Sequence, residues 1–255
     1  MKRALIDGNI FENNWAHAQN GFAILFTVRN QDGTAPWSAV EDVTFSRNIL
    51  KNTASGINTH GSDNLQTSQQ TKRLVIQDNI FMNVNPSQFD GDGHMLQFVG
   101  DGIPVSGLDI SHNTMIHGGS IDEGNQSCLI LDNDRLRPTG DKVVFRDNIC
   151  GYGLYGYFGG GAGSGSSALN TYFTDLTFAK NVLVGNERVQ TLPGSYPAGT
   201  LFSPSVGDVG FVNPIAGDYR LSASSPYKNA GFDGKDIGAD VAATYALTAK
   251  VPSGN

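Results

Sequence analysis

Apolar and polar residues along this chain alternate in short runs that return at a nearly constant interval. Six runs share one shape, a strand-like stretch leading to an Asn and then to further, mostly apolar, residues: Leu5-Ile6-Asp7-Gly8-Asn9-Ile10-Phe11, Val43-Thr44-Phe45-Ser46-Arg47-Asn48-Ile49-Leu50, Leu74-Val75-Ile76-Gln77-Asp78-Asn79-Ile80-Phe81, Leu108-Asp109-Ile110-Ser111-His112-Asn113-Thr114-Met115, Val143-Val144-Phe145-Arg146-Asp147-Asn148-Ile149-Cys150 and Leu176-Thr177-Phe178-Ala179-Lys180-Asn181-Val182-Leu183. From Asn9 through Asn48, Asn79, Asn113, Asn148 and Asn181 the steps are 39, 31, 34, 35 and 33 residues. A period in this range marks stacked supersecondary units. Before each Asn the run alternates, as in Val43 and Phe45 inward against Thr44 and Ser46 outward, which is strand periodicity. The Asn suits a sharp corner, because it tolerates the left-handed backbone region and bonds locally through its amide. Stacked about 4.8 Å apart, such amides can bond one another along the stack. A short apolar strand follows the Asn, then a second strand flanked by Gly or polar residues, at 21–28, 56–61, 94–100, 127–132 and 153–158.

Three short strands per unit around a fixed Asn corner predict an all-β fold, a right-handed single-stranded parallel β-helix (solenoid). On the Asn-corner motif, residues 1–188 resemble the pectate-lyase-like β-helix superfamily. Lyases, hydrolases, epimerases, phage spikes and binding modules share that fold, so the resemblance implies architecture more than activity. A leucine-rich repeat and a propeller are excluded by the absence of a Leu-x-x-Leu-x-Leu phase and of a recurring Trp-Asp signature. Residues 189–255 differ: Pro193, Pro197, Pro204, Pro214 and Pro226 punctuate them, and Asp218-Tyr219-Arg220-Leu221 reads as one strand. Ser225-Pro226-Tyr227-Lys228-Asn229-Ala230-Gly231 with Asp236-Ile237-Gly238-Ala239-Asp240 resembles the closing segment of secreted bacterial β-helix proteins. It predicts a C-terminal cap folded over the final coil, followed by a frayed tail. The Gly/Ser-rich stretch 159–167 reads as a flexible loop.

At 255 residues the chain can bury a large core as one elongated domain, and 16% charged residues with 32 Gly exclude a coiled coil or a disordered acidic chain. A net charge of −7 argues against nucleic acid and anionic membranes as partners. No stretch is long enough to insert in a membrane, and Ala4-Leu5-Ile6 is too short for a signal-peptide core. Met1 falls almost directly on a repeat strand. An uncapped end exposes apolar side chains and strand edges, so upstream coils or a leader are expected in the parent protein, with extracellular or periplasmic localisation, or self-association through that end. Cys128 and Cys150, in neighbouring units, read as buried free thiols rather than a disulfide.

A filled solenoid binds ligands on its outside, along a sheet walled by loops. Here the long loops, 29–39, 62–71, 101–106, 134–141 and 159–175, all follow the Gly-flanked strands, and long loops at equivalent positions carry function. Aligning those strands by their apolar residues puts Ala23, Asn58, Gln97, Ile130 and Tyr155 in one outward column. Leu25, His60, Val99, Asp132 and Tyr157 form a second. Arg29, Asp63, Asp101, Asp134 and Arg135 lie just beyond. Amides, carboxylates, Arg and flat aromatics on one face suit a carbohydrate: hydrogen bonders for hydroxyls and rings for sugar faces. Trp37, in the loop before Val40, is a further sugar platform or a loop-packing residue, and Trp15 poses the same choice. Asp63-Asn64, Asp101-Gly102 and Asp132-Asn133-Asp134 also have the composition of turns.

Two functions compete for this face. One is a polysaccharide hydrolase or lyase, with Asp132 and Asp134 as acid and base, Arg135 steadying negative charge, and His60 touching substrate. Arg29, Asn58, Gln97, Tyr155, Tyr157 and Trp37 would bind the polysaccharide. The β-helix polygalacturonases carry Asn-Thr-Asp, Asp-Asp, Gly-His-Gly and Arg-x-Lys motifs; Asn58-Thr59-His60-Gly61 matches the first in part, and the others are absent. The other is a non-catalytic carbohydrate-binding module, or a structural segment of a larger surface protein, which needs no catalytic set. No cofactor or metal is predicted. Asp90-Gly91-Asp92-Gly93 is the nearest approach to a Ca²⁺ loop and lacks the remaining acidic spacing.

Overall fold

The structure is a computed structural model and describes residues 1–14, 19–100, 102–119, 124–132, 136–185 and 193–251. It is mostly strand. Repeat 1 holds β1 (Lys2–Asp7), β2 (Ile10–Glu12) and β3 (Phe22–Phe26), and repeat 2 holds β4 (Glu41–Ser46), β5 (Ile49–Thr53) and β6 (Ser55–His60). Repeat 3 holds β7 (Lys72–Gln77), β8 (Ile80–Val84), the one-turn helix α1 (Pro86–Phe89) and β9 (His94–Val99). Repeat 4 holds β10 (Val105–Ser111), β11 (Thr114–His117) and β12 (Ser127–Asp132). Repeat 5 holds β13 (Gly140–Arg146), β14 (Ile149–Gly151), β15 (Tyr157–Gly159), β16 (Gly163–Ser164) and α2 (Ser166–Tyr172). After β17 (Phe173–Ala179), β18 (Asn181–Val184) and β19 (Thr200–Ser203) come β20 (Phe211–Asn213), β21 (Asp218–Leu221) and α3 (Val241–Thr248).

Three sheets result, each built from one strand per repeat. The first runs β1-β4-β7-β10-β13-β17, the second β2-β5-β8-β11-β14-β18-β19 and the third β3-β6-β9-β12-β15-β16. Pairing within these three is parallel, except that β16 closes the third sheet antiparallel to β15; a fourth, two-stranded sheet pairs β20 antiparallel with β21. No described helix is long and apolar enough to cross a membrane.

The Asn corner is a hydrogen-bonded ladder. Each Asn Oδ1 from Asn48 to Asn181 accepts both the backbone N–H and the amide Nδ2 of the preceding Asn, at 2.9–3.1 Å. From Asn48 onward each Nδ2 also donates to a backbone carbonyl of the previous repeat: Ile6, Phe45, Ile76, Ile110 and Phe145 in turn, at 2.8–3.0 Å. The ladder ends where Gly199 O accepts the Asn181 N–H at 3.1 Å. The left-handed turn falls one residue earlier than expected. Gly8, Arg47, Asp78, His112, Asp147 and Lys180 hold φ between 49° and 69°, and the Asn residues do not. A non-Gly residue there costs about 1–2 kcal/mol, which the ladder's buried bonds offset.

Inside the three sheets lies one apolar core, including Phe26, Phe45, Leu74, Ile76, Phe81, Phe98, Leu129 and Phe145. Leu50, Phe81, Met115, Cys150 and Leu183, all on the second sheet, point into it. Their neighbours Ile49, Ile80, Ile149 and Val182 point the other way, into a second core made with Val209, Phe211, Tyr219, Tyr227, Ile237 and Val241. The second sheet is therefore apolar on both faces and covered on both.

That cover corrects the expectation of a cap over the last coil. Residues 204–248 run back along the outside of the second sheet as a strap. Phe232 N donates to Asp147 Oδ1 (2.6 Å), Ala239 N to Thr114 Oγ1 (3.0 Å) and Asp240 N to Asp78 Oδ1 (3.0 Å). Leu247 of α3 reaches Gly8, where an added Cβ would stand 3.1 Å from its own. The last repeat is closed instead by residues 193–203, whose Tyr196 packs on Tyr152, Tyr157 and Phe202. α3 extends helix into residues expected to fray, and β16 with α2 replaces the expected loop at 159–167. At the opposite end Leu5 is exposed and Ile10 and Phe11 are half-buried, while their counterparts Ile80 and Phe81 are fully buried.

The two cysteines form a disulfide, Cys128–Cys150, with Cα atoms 5.7 Å apart, which corrects the free-thiol reading. They sit on β12 and β14, both fully inside the core. Two buried apolar residues of the pattern fall close enough to bridge, and strand periodicity carries no sign of that.

Replacing Asn79 by Ala removes the acceptor of the Asn48 N–H and Nδ2 and the donor to Phe45 O and Asn113 Oδ1 at once. It is expected to lower unfolding free energy by about 1–3 kcal/mol, read from urea denaturation, whereas Asn9→Ala, at the exposed end, costs less.

Candidate functional site

The third sheet carries the expected ligand face, in a register shifted at its two ends. Leu25, Asn58, Gln97, Ile130 and Phe158 pair in one outward column across five repeats. Asn58, Gln97 and Ile130 align as expected; Leu25 takes the place of Ala23, and Phe158 that of Tyr155. The column is apolar at both ends, with two amides between. Among the described residues neither amide has a side-chain hydrogen bond, and Asn58 Oδ1 and Gln97 Oε1 are buried without a donor. Tyr155 is 37% exposed, and its ring lies 4.9 Å from that of Phe158, so the two form a partly open aromatic platform.

Two members leave the face. Tyr157 is fully buried, because β15 pairs Tyr157 with Leu129, an inward position. The Gly-rich turn before β15 moves its register three residues from the expected alignment, an odd shift that turns Tyr157 inward. The ring packs edge-on against Phe145 and Phe178, and burial raises its hydroxyl pKa. His60 keeps its predicted column with Val99, but only 5% of it is exposed. Gly100 lies over the imidazole, so that a Cβ there would stand 3.3 Å from Nδ1. Burial, then the nearby Arg29 charge, lowers its pKa to about 4. A neutral, covered imidazole is no proton donor to a ligand on this face.

Asp132 is exposed at the end of β12, beside Gly160. It is the one carboxylate among the described outward strand positions of the third sheet. Asp134 and Arg135 lie outside the described residues, as do Trp15 and Asp101. The loops form a wall beside this sheet. Asn30 N donates to Asp63 Oδ2 (2.7 Å) and Asn30 Nδ2 to Thr67 O (2.5 Å), while Ile103 N donates to Ser62 Oγ (2.7 Å). Asp63 also accepts Leu65 N and Gln66 N, the turn role its neighbours suggested. Arg29 Nη1 donates to Asn64 Oδ1 at 3.0 Å with half its side chain in solvent, and Trp37 is 72% exposed on the same loop wall. In the Asp90-Gly91-Asp92-Gly93 turn, Asp90 is the left-handed C-cap of α1 and Asp92 accepts the Asn20 amide at 2.8 Å.

A second polar locus lies on the other side of the molecule. It is made by the residues just before the ladder Asn, where Asp78, His112 and Asp147 meet the strap. His112 Nδ1 stands 3.2 Å from Gly238 O, and Nε2 stands 3.2 Å from Asp233 Oδ2 and 3.5 Å from Asp147 Oδ2. Arg146 Nη1 donates to Asp147 Oδ2 at 2.6 Å. A cleft of about 570 Å³ opens beside it, lined by Asp78, His112, Arg220, Lys228, Asp236 and Asp240 among others. Burial raises the pKa of the Asp78 carboxyl. Its signal in the sequence is a chargeable residue directly before the corner Asn in unit after unit, a position spent on describing the turn.

No protein-family model matches the chain, and no curated protein matches it.

The buried imidazoles make stability depend on acidity. His60 and His117 titrate near 4 in the folded chain against an ordinary 6.5, chiefly through burial. Between those values the unfolded chain binds protons that the native one does not. Stability should therefore fall as pH drops from 6.5 toward 4, by up to about 1.4 kcal/mol per pH unit for each ring. Urea unfolding across that range checks it, and His60→Gln should flatten the slope by one ring's share.

Proposed function

We propose that this chain is a right-handed parallel β-helix that binds a polysaccharide lengthwise on its third sheet, without cleaving it. The observation that carries the reading is the outward column Leu25, Asn58, Gln97, Ile130 and Phe158, with two amides at its centre and the Tyr155 ring beside it. Strand spacing of about 4.8 Å is close to the length of one pyranose unit, so successive sugars meet successive repeats. Amides supply donors and acceptors to hydroxyls, and rings and aliphatic groups take the apolar sugar faces. The column carries no charge, which favours a neutral glycan over a polyuronate. The solenoid is supported by the pairing of every strand in the first two sheets with its counterpart one repeat away, and by the continuous Asn ladder.

Catalysis is the weaker reading. Acid–base cleavage of a glycosidic bond needs two carboxyl groups facing each other across the bond, and the described strand positions of this face offer Asp132 alone.

Affinity electrophoresis against neutral β-glucans and polygalacturonate tests the proposal. Retardation is expected with a neutral glycan, and Tyr155→Ala and Phe158→Ala should each weaken it by about 1 kcal/mol, with Asp132→Asn near wild type. Release of reducing ends or of unsaturated uronates, lost in Asp132→Asn, would instead make the chain an enzyme.

The same reading places the protein in an extracellular or periplasmic compartment, and the core disulfide supports it, since disulfides persist where the surroundings are oxidising. Thiol labelling under denaturing conditions should find Cys128 and Cys150 blocked in exported protein. Their reduction should cost about 3 kcal/mol of stability.

A further inference from the structure

We propose that His112, Asp147 and Asp233 bind a divalent cation of the Zn²⁺ class, which fastens the strap to the stack. The three ligands come from separate parts of the fold: the left-handed corners of repeats 4 and 5, and the strap. Their donor atoms all lie within 4.8 Å of one another, with Nε2 3.2 and 3.5 Å from the two Oδ2 atoms. Ligands held at 2.0–2.2 Å around a tetrahedral ion stand about 3.3–3.6 Å apart, so the two imidazole–carboxylate spacings are close to those of a coordination shell.

The hydrogen bonding around the cluster points the same way. Gly238 O can only accept, so the contact at 3.2 Å places a proton on Nδ1. In that tautomer Nε2 turns a lone pair toward two carboxylate oxygens. Such a second partner on Nδ1 is the usual device that aims a ligating imidazole. Asp147 is held likewise, its Oδ1 accepting Phe232 N at 2.6 Å, and its side chain has no exposed surface.

Arg146 shares the two carboxylates without satisfying both. Its Nη1 takes one lone pair of Asp147 Oδ2 at 2.6 Å, stands 3.8 Å from Asp233 Oδ2, and offsets one of the two negative charges. Lys235 Nζ, 3.5 Å from Asp233 Oδ2, is 77% exposed and screened by water. His112 also lines the 570 Å³ cleft, which gives an ion its way in. One imidazole with two carboxylates suits Zn²⁺ better than Ca²⁺ or Mg²⁺, which prefer oxygen alone.

Calorimetric titration of the full chain, stripped with chelator, with ZnCl₂ decides the matter. One Zn²⁺ per chain is expected, with a melting temperature that climbs with Zn²⁺ concentration, and neither effect with CaCl₂. Asp233→Asn, on the exposed strap, should lower Zn²⁺ affinity at least about tenfold while circular dichroism stays native. Absence of Zn²⁺ binding by the wild-type chain would overturn the proposal and leave the cluster closed by a second proton on His112. Zn²⁺ affinity unchanged in Asp233→Asn would overturn it as well, by placing the ion elsewhere.

Discussion

A buried amide is costly until each of its donors and acceptors has a partner, and this chain sets one at the same corner of every repeat. The solution is reciprocal. Each Asn side chain receives two hydrogen bonds from the repeat before it and returns one to that repeat's backbone. Because most of the bonds cross between repeats, no unit satisfies its own corner alone. Adding or removing one residue between two Asn positions within the strand would turn its inward residues outward and break the ladder together. The first-sheet strands, the placement of Phe45, Ile76 and Phe145 in the core, and the direction in which the third-sheet column faces all follow from that shared register.

The second sheet shows what the same rule leaves over. Asn at the corner is followed by two residues that both need burial, one facing the interior and one facing out. Three sheets around one core cannot hide both. The strap does so, and its descent along the corner brings Asp233 and Asp240 against side chains that a bare stack would present to water. The polar seam is thus a by-product of apolar cover: the chain has to come this way to bury Ile80 and Ile149, and its carboxylates arrive with it.

Much of this was legible in the sequence, and the misses have physical causes. Strand period and Asn spacing carry the three sheets and the alignment of Asn58 with Gln97, because parity and register are local properties. The face lost Tyr157 where glycines at 153 and 156 loosen the count of residues between one strand and the next. His60 kept its column, but its burial depends on Gly100, a neighbour 40 positions along, and side-chain cover of that kind leaves no periodic trace. The doubly apolar run after each Asn was the available sign that residues beyond 189 would lie along the second sheet.

Stacked repeats ordinarily behave as a one-dimensional array, each unit held only by its neighbours, so that the ends melt first and the middle last. The strap changes that topology. A segment anchored at Asp147, Thr114 and Asp78 and reaching Gly8 ties repeat 5 to repeat 1, so that neither can open without loosening contacts made by the other. The coupling resembles that within a globular domain more than that along an open array: fraying of the first repeat also disturbs cover along the second sheet.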